Sequence, residues 1–316
     1  MTVDLTVVIL TYTESLHLER AIRSVQPFAR RVVVIDSHST DGTQALARSL
    51  GAEVYENRFT SHARQFGWGL EHGEIATGWI MRLDADEVIE ADLAARIAAE
   101  LPAMPQDVAG LTLDRKHVFM GRWIRHGGRY PVTLLRIWRR GQGRVEDRWM
   151  DEHVVVWGGR TAHLRGGFAD VNLKDLSFFT AKHNDYATRE AVQVLIERYH
   201  LTTAGNAFDS AAAPRQARLK RIVKTRVYAR LPFPVSTLGY FLWRLIVQRG
   251  FLDGIEGLIY HVLQGFWYRF LVGAKTLEFD RDLRALPDAE ARRARLAAIS
   301  GLPVADLLPA SEATPH

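Results

Sequence analysis

Apolar positions along the first ninety or so residues switch repeatedly between two spacings, and the switching predicts the architecture. Val3–Leu10 is a β-branched, nearly unbroken apolar run, the mark of a strand buried on both faces. Thr11–Ser15 breaks it, and Leu18, Ala21, Ile22 and Val25 then recur at helical spacing. The alternation continues with a strand over Arg31–Ile35 that ends at Asp36, a polar loop over Ser37–Thr43 and a helix over Thr43–Leu50. A strand over Ala52–Tyr55, a helix over Ser61–His72 and a strand over Trp79–Leu83 complete the series. Strands alternating with helices in this way predict βαβ units and a parallel sheet.

The fourth strand ends abruptly in Asp84-Ala85-Asp86-Glu87, and a helix-like segment follows. In open α/β sheets ligands bind at the carboxyl ends of the strands. These carboxylates therefore place hard oxygen donors where a ligand would sit, and such donors suit Mg²⁺ or Mn²⁺ bridging to substrate phosphates. An acidic loop that only caps the next helix would use the same residues. No GxGxxG follows the first strand and no GxxxxGK[ST] occurs, which argues against a dinucleotide fingerprint or a P-loop. A haloacid-type phosphatase carries its Asp-x-Asp on the first strand, whereas this pair falls on the fourth.

Beyond residue 93 the elements shorten. Val108–Leu113, Leu134–Trp138, Arg144–Val145 and His153–Trp157 read as strands separated by glycine-rich turns. Lys182-His183-Asn184-Asp185-Tyr186 reads as a loop entering an amphipathic helix over Ala187–Tyr199, and Gly205–Pro214 as a linker. Arg215–Arg230 holds seven Lys or Arg residues and no acid. Leu231–Trp243 follows without a charge, and Phe251–Ala274 is aromatic and aliphatic but contains Asp253, Glu256, His261 and Arg269. Neither stretch reaches the roughly 18–20 apolar residues of a spanning helix. A basic helix beside such segments fits an interfacial anchor, with Trp243, Phe251, Phe266, Trp267 and Tyr268 at headgroup depth. A helical subdomain packed on the core is the plainer alternative. A short helix and a frayed end are expected after Pro287.

Composition narrows the function classes. The 316 residues include no cysteine, which excludes disulfides and thiolate metal sites and fits a reducing compartment. MTVDLTVVIL lacks a basic n-region and reads as a strand, so no signal peptide is expected. The net charge of +5 conceals a balance of −6 in residues 1–100 and +11 in the remainder. Basic residues lying beside apolar segments point to an anionic membrane surface as readily as to nucleic acid.

The order TYTE (Thr11–Glu14), VVIDSHSTDGT (Val33–Thr43), ARQFG (Ala63–Gly67) and RLDADE (Arg82–Glu87) resembles a family 2 glycosyltransferase of the GT-A fold. The resemblance covers residues 1–92. It implies a Rossmann-like, mostly parallel sheet and an inverting transfer from a nucleotide-activated sugar, with a UDP-sugar as the expected donor. By the same resemblance Thr11 and Glu14 follow the first strand into the donor site, Asp36 binds the base, and Asp84 and Asp86 hold the metal, Asp84 also facing the donor. Arg64 would meet the pyrophosphate; where the family often has Asn after that basic residue, this chain has Gln65.

Residues 93–180 fall where such enzymes build the acceptor half, on a mixed sheet. Ten basic side chains lie between 115 and 148, against Glu146 and Asp147, and would attract an anionic saccharide or lipid-linked saccharide. An inverting transfer needs one general base on the acceptor hydroxyl. Similarity to lipopolysaccharide-core β-glucosyltransferases places it at Glu152, in Met150-Asp151-Glu152-His153, whereas the wider family's Glu-Asp motif favours Asp151. Successive strand residues face opposite ways, so only one can serve. Glu146-Asp147 is a third candidate, and His153 also suits a structural role.

The expected organisation is a GT-A catalytic domain over 1–180, split at 92 into donor and acceptor halves. A helical, membrane-associated region over 181–286 and a tail over 287–316 complete it. The expected enzyme is metal-dependent, cytoplasmic and peripheral on the inner face of the membrane, works in cell-envelope polysaccharide synthesis, and has no nucleic-acid partner. A nucleotidyltransferase would want a glycine- and lysine-rich phosphate loop in place of TYTESLH. A non-catalytic basic binding protein would leave the strand-end carboxylates without a purpose.

Overall fold

The computed structural model describes residues 2–146, 153–201 and 232–302. It divides into two compact units, Met1–Leu173 with Phe251–Gly257, and Lys174–Gly250 with Leu258–His316.

The first unit opens with the predicted alternation: β1 (Val3–Thr11), α1 (Leu18–Val25), β2 (Ala29–Asp36), α2 (Thr43–Ser49), β3 (Glu53–Glu56), α3 (His62–His72) and β4 (Trp79–Asp84). Further strands follow: β5 (Glu87–Ile89), then after helix α4 (Ala91–Glu100) β6 (Val108–Phe119), β7 (Arg122–Ile124), β8 (Val132–Arg139) and β11 (Arg160–Val171). They join one sheet in the order β3-β2-β1-β4-β8-β6-β11-β5, with β7 paired to β6. β9 (Gly143–Val145) and β10 (Val154–Val156) form a separate antiparallel pair. The strands β3, β2, β1 and β4 are mutually parallel, and β8 pairs antiparallel to both β4 and β6.

Period-two alternation explains why both faces of the parallel half are apolar. Leu5, Val7 and Ile9 of β1 pack with Leu18, Ile22 and Val25 of α1. Val8, with Val33 and Ile35 of β2, faces the opposite way onto Ala63 and Phe66 of α3. The helix comes close enough that a Cβ on Gly69 would lie 2.6 Å from Ile35 Cγ1, so glycine is required there.

β6 runs six residues past the predicted end. Its charged continuation looks like loop chemistry in sequence, yet each charge meets a partner across the sheet: Asp114 accepts from Thr133, and Arg115, Lys116 and His117 meet Glu87, Glu90 and Asp170 respectively. β11 has no predicted counterpart, because Gly166-Gly167 interrupts its pattern. At Gly166 φ is +121°, and a Cβ there would lie 2.9 Å from Leu93, so the bulge lets α4 pack closely.

In the second unit α5 spans Leu176–Arg198, so Lys182–Tyr186, predicted as a loop, is helical. The helix begins where Asp175 caps the Phe178 N–H at 2.8 Å, and Asn184 and Asp185 are tolerated because they face outward. Ala187, Ala191 and Leu195 form its buried stripe. α6 (Phe233–Leu242), α7 (Gly254–Tyr260), which begins in the first unit, α8 (Tyr268–Arg284) and α9 (Ala289–Ser300) follow among the described residues. Tyr268 donates to Glu190 at 2.6 Å, and Tyr199 to the buried Asp280 at 2.7 Å, fastening α8 to α5. Phe266, Trp267 and Tyr268 are thus partly buried within the unit and do not form an open aromatic edge. Among the described residues no helix is long and apolar enough to cross a membrane.

Candidate active site

The chain runs from β1 outward to β2 and β3, then returns to place β4 on the other side of β1. This reversal opens a crevice at the carboxyl ends of β1 and β4, the place where such sheets bind ligands. The register fixes which residues are neighbours at that edge: Thr11 lies beside Asp36, and Leu10 beside Asp84.

On the β1–β2 side, Asp36 is completely buried. Its Oδ2 accepts from Thr11 Oγ1 at 2.8 Å and Ser39 Oγ at 2.6 Å, and its Oδ1 from Ser39 N–H and Gln44 Nε2, both at 2.8 Å. Four protein donors occupy the roughly four lone-pair sites of a carboxylate. A nucleobase N–H would therefore have to displace one of them. Three more bonds tie the two loops together: Thr13 N–H donates to Ser39 Oγ (2.8 Å), Glu14 N–H to Thr43 Oγ1 (2.9 Å) and Ser15 N–H to Asp41 Oδ2 (3.1 Å). Burial opposes ionisation of Asp41, but the donors from Thr43 and Ser15 outweigh it and bring its carboxyl down to about 2.

Glu14 meets His17, which is fully buried, with Oε2 at 2.5 Å from Nδ1. His17 Nε2 accepts from Leu173 N–H at 2.9 Å, so the ring proton sits on Nδ1 and points at Glu14. One turn on, Arg20 donates to Val171 O at 2.9 Å. The end of β11 is thereby clamped to α1. From there Val171 N–H reaches Asp86 O at 2.9 Å, and Asn172 Nδ2 reaches Asp86 Oδ2 at 3.1 Å.

Asp86 sits half-buried in the two-residue turn between β4 and β5. Asp84 is 38% exposed and is held by Arg82 Nε (3.3 Å) and Arg136 Nη2 (3.1 Å). Glu87 is buried, accepts from Asp84 N–H at 3.0 Å and shares Arg136 at 2.5 Å. Arg115 stands 3.6 Å from Glu87 and 3.9 Å from Asp170, which His117 Nδ1 meets at 3.2 Å. Burial works against the charge on Asp84, but Arg136 and Arg82 more than offset it and hold the carboxyl far below the usual range. Glu87 goes the other way: burial pushes it up to about 8, Arg136 opposing the rise and the Asp84 charge adding to it.

The donor set suits a divalent cation of the Mg²⁺ or Mn²⁺ kind, which needs only one or two carboxylates beside water and substrate phosphates. Asp86 and Asp84 are the hard-oxygen side chains at this strand end, Asp86 accepting from Asn172 and Asp84 engaged by two arginines. Among the described residues no three acidic or histidine side chains form a closed cage.

Arg64 is exposed on the first turn of α3, while Gln65 is buried and structural, donating to Ser37 Oγ (3.1 Å) and Asn57 O (3.0 Å). Of the ten basic residues between 115 and 148, most are spent inside the unit. Arg139 donates to the carbonyls of Val108, Met104 and Pro105, Arg140 to Thr77 O, Lys116 pairs with Glu90, and Arg122 lies 3.7 Å from Glu256. Arg125 stacks over Trp123 at 5.2 Å. Asp147, Asp151 and Glu152 lie outside the described residues; on either side of them Val145 pairs with Val154, and Glu146 N–H donates to His153 O at 2.8 Å.

Arg136, Asp170, His17 and Asn172 join the site without having been singled out from the sequence. Arg136 did leave a signal. A lone charge between Leu135 and Ile137 in an apolar strand implies a buried partner.

The model of the glycosyl transferase family 2 matches residues 6–171. Over 289 residues the chain is 26% identical to the lipopolysaccharide core biosynthesis glycosyltransferase LpsC of Rhizobium meliloti, covering 89% of this chain and 94% of that one. It is 29% identical over 272 residues to an uncharacterized glycosyltransferase of Rickettsia typhi, covering 85% of each. A Rickettsia bellii glycosyltransferase is 34% identical, but the match spans only 34% of this chain and 36% of that protein. Among solved structures, a mannosyltransferase from Pyrobaculum calidifontis in complex with GDP-Man and Mn²⁺ aligns with 97% of this chain and 85% of its own, at 15% identity and a TM-score of 0.42. Glucosyl-3-phosphoglycerate synthase from Mycobacterium tuberculosis, with Mn²⁺, UDP-glucose and phosphoglyceric acid, aligns with 36% of this chain and 43% of its own, at 17% identity and 0.30. At these scores neither likeness bears on this chain's chemistry. The parallel-dominated sheet and helical C-terminal region are of the GT-A type, and with more than half its residues inside the family match, the chain belongs to glycosyl transferase family 2.

Proposed function

We propose that the chain catalyses an inverting, metal-assisted transfer of a sugar from a nucleotide-sugar donor, a UDP-sugar in the first instance. The acceptor is a saccharide or lipid-linked saccharide of the cell envelope, met at the inner face of the cytoplasmic membrane. The observation that carries this reading is the strand register, which ends β1, β2 and β4 side by side at Thr11, Asp36 and Asp84 and sets Asp86 in the turn beyond. Similarity to the LpsC glycosyltransferase supports the polysaccharide setting.

In this reading the loops after β1 and β2 receive the nucleoside. Asp86 holds the cation, and Asp84, kept ionised by Arg136 and Arg82, faces the donor. The bound cation would supply charge stabilisation to the departing diphosphate. Glu152 or Asp151 takes the proton from the acceptor hydroxyl, on sequence grounds alone.

The test pairs two substitutions. Asp86→Ala should abolish Mn²⁺-dependent turnover of the donor and weaken Mn²⁺ binding seen by electron paramagnetic resonance, with the fold unchanged. Glu152→Gln should keep donor and metal affinity but cut transfer by roughly 10²–10⁴-fold. Near-normal, still metal-dependent turnover in Asp86→Ala would overturn the metal assignment. The loss appearing in Asp151→Asn instead would move the base to Asp151.

A further inference from the structure

Helix α6 continues through a wider turn over Trp243–Val247, giving fifteen residues, about 22 Å at 1.5 Å per residue. One side of it is packed. Phe233 meets Phe270 at 5.2 Å between ring centroids, Phe241 meets Phe266 at 5.8 Å, and Thr237 is buried. Arg244 is the only charged residue from Phe233 to Val247, and it turns inward, 2% exposed, with its guanidinium near the Tyr240 and Tyr260 rings.

The other side is open and wholly apolar. Val235, Leu238, Leu242, Trp243, Ile246 and Val247 recur at helical spacing, each 41 to 59% exposed. Scattered apolar residues on a surface are ordinary, but a continuous stripe of six large ones marks a contact with something else. The helix is too short to span a bilayer. It is long enough to lie in the interface, where an apolar face sinks to the acyl boundary and tryptophan is enriched. Charge chooses the surface: the sequence directly ahead, Arg215–Arg230, carries seven basic side chains and no acid. Such a segment is drawn to anionic headgroups.

We propose that the Val235–Val247 stripe is a monotopic anchor, lying in the plane of an anionic phospholipid bilayer with Trp243 at headgroup depth. The proposal rests on the reading that the enzyme works at a membrane, and names the surface that meets it. A long-chain lipid acceptor then remains within reach while the enzyme stays bound.

The experiment is flotation of the full chain with vesicles of phosphatidylcholine alone or mixed with phosphatidylglycerol, at low and high salt, for the native protein and Trp243→Ser/Ile246→Ser. The native chain should float with the anionic vesicles and less so as salt rises. The double variant should lose about tenfold or more of its partitioning. Vesicles brominated near the headgroup should quench tryptophan emission in the native protein more than in Trp243→Phe. Equal flotation of native and double variant would overturn the stripe as anchor while leaving the membrane reading standing. No flotation of the native chain with any vesicle would overturn both. If the double variant instead changes mass by light scattering, or loses thermal stability with flotation unaltered, a second copy or the chain itself covers the stripe, and the proposal falls.

Discussion

Two groups of carboxylates lie at the same edge of the sheet, and they are stabilised by opposite means. Asp36 is buried among neutral donors, from Thr11, Ser39 and Gln44. Asp84 and Glu87 lie among the guanidinium groups of Arg82, Arg136 and Arg115, and Asp170 beside Arg115 and the His117 ring. Neutral donors fix a shape without adding charge, which suits the loop proposed to receive a nucleoside. Arginines hold Asp84 ionised beside Asp86, at the end proposed to take the phosphates and the cation. A buried carboxylate therefore reveals its role less by its own burial than by the company it keeps.

The contrast can be broken most severely at Arg136. It is 5% exposed and serves Asp84 and Glu87 at once. Arg136→Met should cost roughly 3–5 kcal/mol in urea unfolding, because it leaves buried acids unpaired. Adding Glu87→Gln should recover part of that loss. A cost below about 1 kcal/mol would mean that the cluster is solvated and not an internal ion network.

A smaller effect is expected on the neutral side. Asp36→Ala should lower stability by roughly 1.5–3 kcal/mol, the usual worth of hydrogen bonds to a buried charged group. Donor affinity should fall with it, read by titration with a UDP-sugar and Mn²⁺. Asp36→Asn keeps one acceptor oxygen and should lose less stability. If Asp36→Ala weakens the donor with no change in the unfolding midpoint, the carboxylate is a ligand group first and an anchor second.

The smallest effect concerns Asp41, held down to about 2 from an ordinary 3.8. A carboxyl whose folded value is depressed adds stability that is complete above the unfolded value and is lost as pH falls through the folded one. Native protein should therefore lose stability more steeply than Asp41→Asn between about pH 4 and pH 2. Parallel curves in thermal melts across that window would show that the loop ties contribute nothing there.

The parallel half of the sheet was legible because its strands are buried on both faces and its helices keep one apolar side. Periodicity places the strand ends within about two residues, and Thr11, Asp36 and Asp84 end three neighbouring strands. The mixed half was harder to read. β6 hides its length behind Asp114–His117, whose polar side chains look solvated until the partners on β5, β8 and β11 and at the start of α4 are known. The basic residues of 115–148 mislead for the same reason: composition counts charges, and only packing shows how many are already neutralised. Asn184 and Asp185 make α5 look shorter in sequence than it is, because outward polar residues resemble a loop when the cap at Asp175 goes unseen.

The clamp of β11 onto α1 has a consequence for biosynthesis. His17 meets Leu173 across 156 residues and Arg20 meets Val171 across 151. The Nε2 side of that histidine must therefore wait, with only its Glu14 bond in reach, until Leu173 has left the ribosome. At about 5–20 residues per second that interval is on the order of ten to thirty seconds. Contacts of such span close late and slow the overall reaction. The aspartate turn would gain its bonds from Val171 and Asn172 only after the entire sheet has been threaded, so in an incomplete nascent chain that turn would still lack them.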